Sequence, residues 1–388
     1  MPNQQTYIKQ VHLSGYKSIK NVNCEFEEGL NIVIGNNGSG KSNLLKFIDK
    51  ILTRYYSELD IFSADIKILK GSNFVRSQNL VDDNKEYFLW HSEGDISKNT
   101  SDFENQNGNI LEPSSDIFFY TEFIEFNLPE KIGVLSSELN SKFSLENLIL
   151  LFNIGEENIP LIIAVWLRRI FKEDDNAKEA LLLGEADNYV YTKLNSTFDN
   201  DYEDLKNDLS KYTPVQNIRF SNSVRVVKID ASTLEFRNIV FEFKVNEDWF
   251  SWEALSDGTK RLIYLIFTIH GLNYDKTEKL NGFSPISLIE EPELGIHPHQ
   301  LHLLLNYLKE KSREQQIIIT THSPQVLDIL TSNELNKIII AEIDFENGTI
   351  LRRLNNEELQ KAQSYLKDEG LLSDYWRFSD LQRSNKVK

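Results

Sequence analysis

Long apolar runs, paired cysteines and an excess of positive charge are all missing from this chain of 388 residues. No apolar run is long enough to cross a bilayer, and the start lacks the basic and apolar regions of a signal peptide, so we expect a cytoplasmic protein without membrane contact. The single cysteine, Cys24, cannot form an internal disulfide. Its alternation with Val22 and Phe26 predicts a half-buried strand residue rather than a catalytic one.

The net charge of −17 means that the long-range field of the protein repels polyanions. This disfavours non-specific adhesion to nucleic acid or anionic membrane, but a local basic groove stays open as an alternative, and with it a contact with DNA. Two stretches are rich in basic residues, namely the segment WLRRIFK at 166–172 and the part of the chain that holds Lys46, Lys50, Arg54, Lys67, Lys70 and Arg76.

The composition, 40% hydrophobic and 26% charged, is that of a soluble globular protein with one large core or two ordinary ones. Apolar periodicity predicts strands near the start and a helix from Lys41. Residues 72–115 are polar and predict a loop, and residues 143–212 predict helices. The last third predicts strands, a buried helix capped by Ser256 or Asp257, a helix capped by Ser323, and a hairpin turning at 347–348.

The segment NIVIGNNGSGKSNLL contains Gly35, four further residues and then Gly40-Lys41-Ser42, between a predicted strand and a predicted helix. This is the context that a phosphate loop requires. Backbone N–H groups and the helix N-terminus would surround the phosphates, Lys41 would reach the β- and γ-phosphates, and the Ser42 hydroxyl would bind Mg²⁺. The predicted ATP-binding residues of this loop are Gly35, Asn36, Asn37, Gly38, Ser39, Gly40, Lys41, Ser42 and Asn43.

The stretch ISLIEEPELGIHPHQ places Glu290 and Glu291 side by side where a short apolar run ends. Because side chains alternate faces along a strand, the two carboxylates can serve neighbouring tasks. Beside a phosphate loop, Glu290 would complete the Mg²⁺ shell through water, and Glu291 would orient the water that attacks the γ-phosphate. On this stretch alone, charges that simply meet solvent at a strand end are the alternative.

Two further motifs follow the same order along the chain. LSDGTKR at 255–261 is a polar turn that opens a helix and can grip an anion through its N–H groups and the Ser256 hydroxyl. TTHSP at 320–324 places His322 just after a buried strand.

With these four motifs, residues 7–80 and 220–388 resemble the ATP-binding-cassette-type ATPase heads of the SMC, RecF and OLD group. The resemblance implies an α/β P-loop NTPase fold of ABC/RecF type, a mixed β-sheet with flanking helices plus a helical lobe or insert. It identifies Gly35 to Ser42 as the Walker A loop, LSDGTKR as the signature with Ser256 and Gly258 on the nucleotide, and Glu290 as the Walker B metal ligand.

The same resemblance identifies LGIHP at 294–298 as the D-loop and His322 as the switch histidine. It makes Lys41, Glu291 and His322 the catalytic residues, and ATP and Mg²⁺ the cofactors. Similar heads work as dimers with two ATP molecules between them, so we expect a homodimer or a higher even oligomer. The expected domains are an ATPase core at 1–95 and 221–388 with a helical lobe and insert at 96–220.

The sequence departs from the family pattern at two positions. Glu290 stands where Walker B usually has aspartate, and Asp257 stands where the transporter signature has glycine. His297, His299 and His302 lie close to the glutamates in the sequence, and a zinc cluster is one alternative for them. The D-loop assignment accounts for His297, and a helix face accounts for His299 and His302. The chain leaves no room for SMC-type arms, and we expect no Toprim nuclease in it.

The function that these observations predict is an ATP-hydrolysing subunit whose ATP-driven dimerisation gates a separate effector, such as a nuclease. The resemblance extends to the stand-alone ATPases of bacterial anti-phage systems such as Septu or PARIS. Two alternatives remain at this stage, namely a RecF-like DNA-repair ATPase that binds duplex DNA and a non-catalytic scaffold that ATP holds together.

Overall fold

A computed structural model describes thirteen stretches of the chain, which together hold every element discussed below. They are residues 5–53, 61–70, 73–82, 85–93, 118–125, 139–144, 150–151, 166–167, 170–171, 174–229, 233–270, 283–368 and 370–378. Two compact units are present. The first comprises Met1–Phe126, Lys279–Leu294 and Leu305–Lys388, and the second comprises Asn127–Glu278 and Gly295–Leu304.

The first unit contains two sheets. The strands of the first are β1 (Thr6–Ser14), β2 (Val22–Glu25), β4 (Phe62–Lys70), β5 (Asn73–Asp82) and β6 (Lys85–Glu93), in the order β2-β1-β4-β5-β6 and antiparallel throughout. The strands of the second are β3 (Leu30–Ile34), β7 (Phe118–Glu125), β15 (Phe283–Glu290), β16 (Gln316–Thr321), β17 (Ile338–Asp344) and β18 (Gly348–Arg353). Their order is β18-β17-β3-β16-β15-β7, parallel except for β18.

Helix α1 (Lys41–Leu52) begins just after β3 and packs its apolar stripe against these sheets. Its buried residues Leu44, Phe47 and Ile48 lie in one core cluster with side chains of β1, β4, β15 and β16. Every residue of β3 and of β16 is buried, as expected for strands covered on both faces. Because β3 and β16 are packed on both faces, the positions of their ends are fixed. The candidate site is built from those ends.

The second unit combines short helices with two small sheets. Its strands are β8 (Leu139–Ser144), β9 (Leu150–Leu151), β10 (Val215–Phe220), β11 (Arg225–Lys228), β12 (Thr233–Ile239), β13 (Phe241–Val245) and β14 (Asp248–Phe250), in the orders β10-β13-β14 and β11-β12-β8-β9. Its helices are α2 (Asp175–Leu183), α3 (Ala186–Asp201), α4 (Glu203–Tyr212) and α5 (Asp257–Ile269). Of the remaining helices, α6 (Pro298–Lys311) has residues in both units, and α7 (Asn356–Lys367) and α8 (Leu372–Phe378) belong to the first unit.

Three predictions of secondary structure were wrong. Within 72–115, where a loop is predicted, β5 and β6 form, because the antiparallel ladder with β4 needs apolar residues on one face only. Within 143–212, β9 and the end of β8 precede the helices, since β8 pairs with β12, far away along the chain. The predicted helix after Ser323 is a single 3₁₀ segment, Pro324–Ile329, and the Ser323 side chain makes no capping hydrogen bond.

The other predicted elements are confirmed. Cys24 lies buried in β2, and burial raises the pKa of its thiol to about 12, which keeps it protonated and unreactive. Ser256 caps α5, and β17 and β18 form the predicted hairpin with Gly348 at a φ of 74°. Of the helices that the structure describes, none has both the length and the apolar character needed to cross a membrane.

An aromatic cluster forms the centre of the second unit. Phe198 of α3 is fully buried and stacks on Tyr202 with 5.5 Å between ring centroids. It also meets the rings of Trp166, Phe220 and Phe241 at centroid distances of 6.2, 5.9 and 5.1 Å. Rings at these distances add favourable edge and stacking contacts to the free energy of burial.

We therefore expect Phe198→Ala to lower the free energy of unfolding by about 3–5 kcal/mol, because it leaves a cavity among rigid rings. The matched control is Leu182→Ala in α2, where the side chain is 85% exposed; it should change stability by less than about 0.5 kcal/mol. Urea denaturation followed by circular dichroism measures both. Equal effects of the two substitutions would show that the cluster does not stabilise this unit.

Candidate functional site

The candidate site lies at one edge of the six-stranded sheet, in the first unit. Strands β3, β15 and β16 run parallel, so their carboxyl ends meet at the same edge. The loop after β3 leads into α1, the turn after β15 carries the glutamates, and His322 follows β16. In open α/β sheets this edge is where ligands bind.

Glycines allow the loop after β3 to close tightly. Gly38 and Gly40 have φ values of 81° and 90°, in the left-handed region that favours glycine. A Cβ atom on Gly40 would lie 1.9 Å from the Thr349 hydroxyl oxygen, and one on Gly35 would lie 2.1 Å from the Ala341 carbonyl oxygen. Only glycine therefore fits at both ends of the loop. Within it the Gly35 N–H donates to the Thr321 carbonyl and the Ser39 N–H donates to the Asn36 carbonyl.

The Lys41 side chain folds back over this loop. Its ammonium donates hydrogen bonds to the carbonyl oxygens of Gly35 and Asn36, at 2.9 and 3.0 Å. The residue is only 4% exposed although it carries a charge. A buried ammonium held by two neutral acceptors is ready to exchange them for phosphate oxygens, which are stronger acceptors.

Opposing effects act on the charge of Lys41. Burial lowers the pKa of its ammonium below the usual value, and the carboxylates of Glu291, Glu293 and Glu290 oppose this shift, in decreasing order. The lysine thus sits among three acidic side chains that help to keep it charged.

The remaining loop residues fit a phosphate site. Asn36, Asn37 and Gly38 form the exposed rim, and Ser39 is buried with a hydroxyl that has no hydrogen-bond partner. Ser42 lies half-buried in the first turn of α1, where the helix N-terminus favours negative charge. A phosphate among these groups would supply the acceptor that the Ser39 hydroxyl lacks.

Asn43 is placed differently from its neighbours in the loop. Its amide donates to the Ser18 hydroxyl at 2.9 Å, and the Thr349 hydroxyl donates to the same Ser18 oxygen at 2.8 Å. The Thr349 backbone N–H also donates to the Ser18 carbonyl. Ser18, which the sequence did not single out, therefore fixes the start of α1 to β18, and Asn43 contributes to this support. Its assignment to the nucleotide stays a prediction.

The two adjacent glutamates occupy different environments. Glu290 ends β15, is mostly buried, lies 4.0 Å from the Lys46 ammonium and has one carboxylate oxygen without a hydrogen-bond partner. Glu291 has already left the strand, because its φ of 45° is left-handed. The pair is thus separated by a backbone turn rather than by strand alternation. Such a conformation costs a non-glycine residue about 1–3 kcal/mol and clusters at functional sites.

His322 and Glu291 are neighbours at this edge. The imidazole Nδ1 lies 3.3 Å from a Glu291 carboxylate oxygen and 3.6 Å from one of Glu293. Both Glu291 and His322 are partly exposed, which leaves them accessible to a ligand. The structure thus brings together the predicted residues of the loop, the glutamate pair and His322.

Glu293 is a residue that sequence reasoning missed. Its carboxylate accepts from the Thr321 hydroxyl and from the backbone N–H groups of His322 and Ser323. Burial raises its pKa, while the hydrogen bond from Thr321 and the proximity of His322 act in the opposite direction. The sequence feature that could have indicated Glu293 is its position, two residues after Glu291 in the same turn.

Ser256 and Gly258 belong to the second unit. The Ser256 hydroxyl accepts from the Thr259 N–H at 3.2 Å and so caps α5. A Cβ atom on Gly258 would lie 2.8 Å from the amide oxygen of Gln300. This close approach explains why position 258 has no side chain. The N-terminus of α5 is a place where an anion could bind.

A Mg²⁺ ion needs few protein ligands when phosphates and waters complete its octahedral shell. The unpartnered Glu290 oxygen and the Ser42 hydroxyl are the chemical types that such an ion takes, so the donor set fits. Across the part of the chain that the structure describes, no group of three or more His, Cys, Asp or Glu side chains is arranged to hold a metal.

Comparison with known proteins shows which family this chain belongs to. A family model described as "AAA domain, putative AbiEii toxin, Type IV TA system" matches residues 30–328, which include the loop, the glutamates and His322. The Septu protein PtuA of Bacillus thuringiensis is 23% identical over 360 residues, covering 90% of this chain and 79% of that protein.

The Retron Ec83 probable ATPase of Escherichia coli is 26% identical over 392 aligned positions, covering 85% of this chain and 71% of that protein. Among solved structures, an SMC head bound to the C-winged helix domain of ScpA is 16% identical, with a TM-score of 0.48, and the match covers 92% of this chain and 99% of that one.

Proposed function

Because this chain belongs to the AAA-domain family whose model matches residues 30–328, we propose that it binds and hydrolyses ATP and uses ATP-driven dimerisation to gate a separate effector. The observation that carries the proposal is the Lys41 ammonium, which donates to two carbonyls of its own loop at 2.9 and 3.0 Å and whose charged form three carboxylates favour.

Each group at the sheet edge has a role in this proposal. Lys41 and the loop N–H groups bind the β- and γ-phosphates, and Ser42 and Glu290 hold Mg²⁺, which when bound neutralises phosphate charge. Glu291 orients the attacking water and takes its proton as general base. His322 donates to the γ-phosphate through the nitrogen that does not face Glu291, which requires the doubly protonated ring because Nδ1–H is directed at Glu291.

The setting that we propose is bacterial anti-phage defence. The support is the similarity to the Septu protein PtuA and to the retron probable ATPase, each aligned over most of both chains. In that setting the ATPase pair senses a trigger and controls an effector, which we expect to be a separate nuclease. The signature of one subunit would bind the γ-phosphate held by the other, so that hydrolysis requires the dimer.

The first test is Lys41→Ala. It removes the charge that neutralises the phosphates, and we expect kcat for ATP hydrolysis to fall about 10²–10³-fold, with weaker ATP binding. The contrasting variant is Glu291→Gln, which should bind ATP normally and lose about 10²–10⁴-fold in kcat, since only the base is lost. Steady-state phosphate release and equilibrium binding of labelled ATP separate the two effects.

Equal turnover by Lys41→Ala and the unaltered protein would contradict the phosphate-loop assignment. Absence of any turnover in the unaltered protein would favour a scaffold held together by ATP. Stimulation of turnover by duplex DNA would instead favour a DNA-repair ATPase over the defence role.

The dimer mechanism has its own test, Ser256→Arg. A bulky side chain at the start of α5 should block the sandwich, abolishing ATP-dependent association and hydrolysis but leaving ATP affinity of the single subunit nearly unchanged. The control is Ser196→Arg, the same substitution on the exposed side of α3. Light scattering with and without ATP reports association.

Mixing Ser256→Arg with Lys41→Ala sharpens this test, because a two-fold dimer of the two variants rebuilds one composite site from intact parts. Partial recovery of turnover in the mixture is the expected result. Full activity of Ser256→Arg alone, at a concentration where the protein is monomeric, would overturn the dimer mechanism.

A further inference from the structure

The Glu293 side chain is buried and accepts several hydrogen bonds, unlike a typical glutamate on a protein surface. Its side chain is 7% exposed, and one carboxylate oxygen accepts from three donors, namely the hydroxyl of Thr321 at the end of β16 and the N–H groups of His322 and Ser323 just after it, the latter two at 3.3 Å. These donors are about 30 residues away along the chain, as the Ser323 contact shows. Glu293 therefore joins the turn after β15 to the loop that carries His322.

The same oxygen also faces the His322 ring. Nδ1 lies 3.3 Å from Glu291 and 3.6 Å from Glu293, so one ring N–H has two carboxylates within nearly equal reach. The second oxygen of Glu293 is buried and has no hydrogen-bond partner, which leaves it free to accept another hydrogen bond. If the Glu291 carboxylate turns towards a water and its oxygen leaves Nδ1, Glu293 is the carboxylate that remains beside the ring.

We propose that Glu293 is a positioning residue that accepts the Nδ1–H of His322 in exchange with Glu291, so that Glu291 is released to orient water while the histidine stays fixed. The proposal deepens the ATPase function proposed above and depends on it for its kinetic consequence. Both acceptors lie within 4 Å of Nδ1, and their distances differ by 0.3 Å (3.6 − 3.3). No proton is gained or lost in the exchange, because the N–H changes only its acceptor.

A purely structural role for Glu293 would have a different consequence. If it only anchors the loop, an uncharged amide of the same shape serves equally well, because its oxygen still accepts from Thr321, His322 and Ser323. If it also attracts the Nδ1–H, the amide binds this group more weakly, since it has lost the negative charge that strengthens such a hydrogen bond. Glu293→Gln separates these two roles.

The kinetic test compares Glu293→Gln with the unaltered protein. We expect kcat for ATP hydrolysis to fall about 10- to 100-fold, the range seen when an outer hydrogen-bond partner of a functional group is lost. The dissociation constant for ATP should change by less than about threefold, because the phosphate loop is untouched. An unchanged kcat, in an amide variant that remains folded, would overturn the proposal.

Glu334→Gln is a matched control in the same unit. The Glu334 carboxylate likewise accepts from a threonine, through both the N–H and the hydroxyl of Thr331, and it pairs with Lys309 at 2.9 Å. Burial raises its pKa, but these partners outweigh burial and lower it to about 2. Glu334→Gln should reduce stability and leave kcat unchanged. That result would show that the loss of a hydrogen-bonded carboxylate does not by itself slow turnover.

A second measurement needs no turnover. The ¹⁵N NMR signals of the histidine rings report which nitrogen carries the proton, and His322→Gln identifies the signals of His322. At alkaline pH without nucleotide, Glu291→Gln should keep the proton on Nδ1, because Glu293 remains to accept it. The double variant with Glu293→Gln should lose this preference.

Loss of the Nδ1–H form already in Glu291→Gln would overturn the proposal, even if Glu293→Gln itself failed to fold. Because the NMR measurement does not need catalysis, it separates a failure of the Glu293 proposal from a failure of the proposed ATPase function. An unaltered protein that does not hydrolyse ATP refutes the proposed function, whereas the ring signals decide whether Glu293 takes over the hydrogen bond.

Discussion

The arrangement at the carboxyl edge of the six-stranded sheet depends on one buried charge, the Lys41 ammonium. Removing an ammonium from water is unfavourable unless acceptors and opposite charges surround it. The protein supplies both, through two carbonyl oxygens of the loop and the nearby glutamates at the end of β15. The glycines of the loop, the burial of β3 and the link between Ser18 and Thr349 all serve to keep this arrangement in place.

The phosphate loop could be predicted because its chemistry is local. Glycine spacing, the lysine and the flanking strand and helix lie within 15 consecutive residues, NIVIGNNGSGKSNLL, and short-range sterics decide the conformation. The cap of α5 by Ser256 is local in the same way. The partners of Glu293 could not be predicted, since its contacts reach residues of the next strand and depend on parallel pairing of β15 with β16.

Pairing between distant residues also explains the strands that were not predicted from the sequence. β5 pairs with β4 and β6 pairs with β5, which continues the ladder, and β8 pairs with β12 in a distant part of the chain. Glu291 was predicted from strand alternation, yet a left-handed turn separates it from Glu290. The chemistry proposed for this pair rests on residue type, whereas its geometry came from the turn that Pro292 and the following residues form.

The central claim is that this sheet edge is a Mg-ATP site. The most direct measurement is a calorimetric titration of the unaltered protein with a slowly hydrolysed ATP analogue, with Mg²⁺ and then with Mg²⁺ removed by a chelator. The account predicts saturable binding of one nucleotide per chain, clearly tighter when Mg²⁺ is present, because Glu290 and Ser42 then bind the ion that the phosphates share. Absence of saturable binding under both conditions would contradict it.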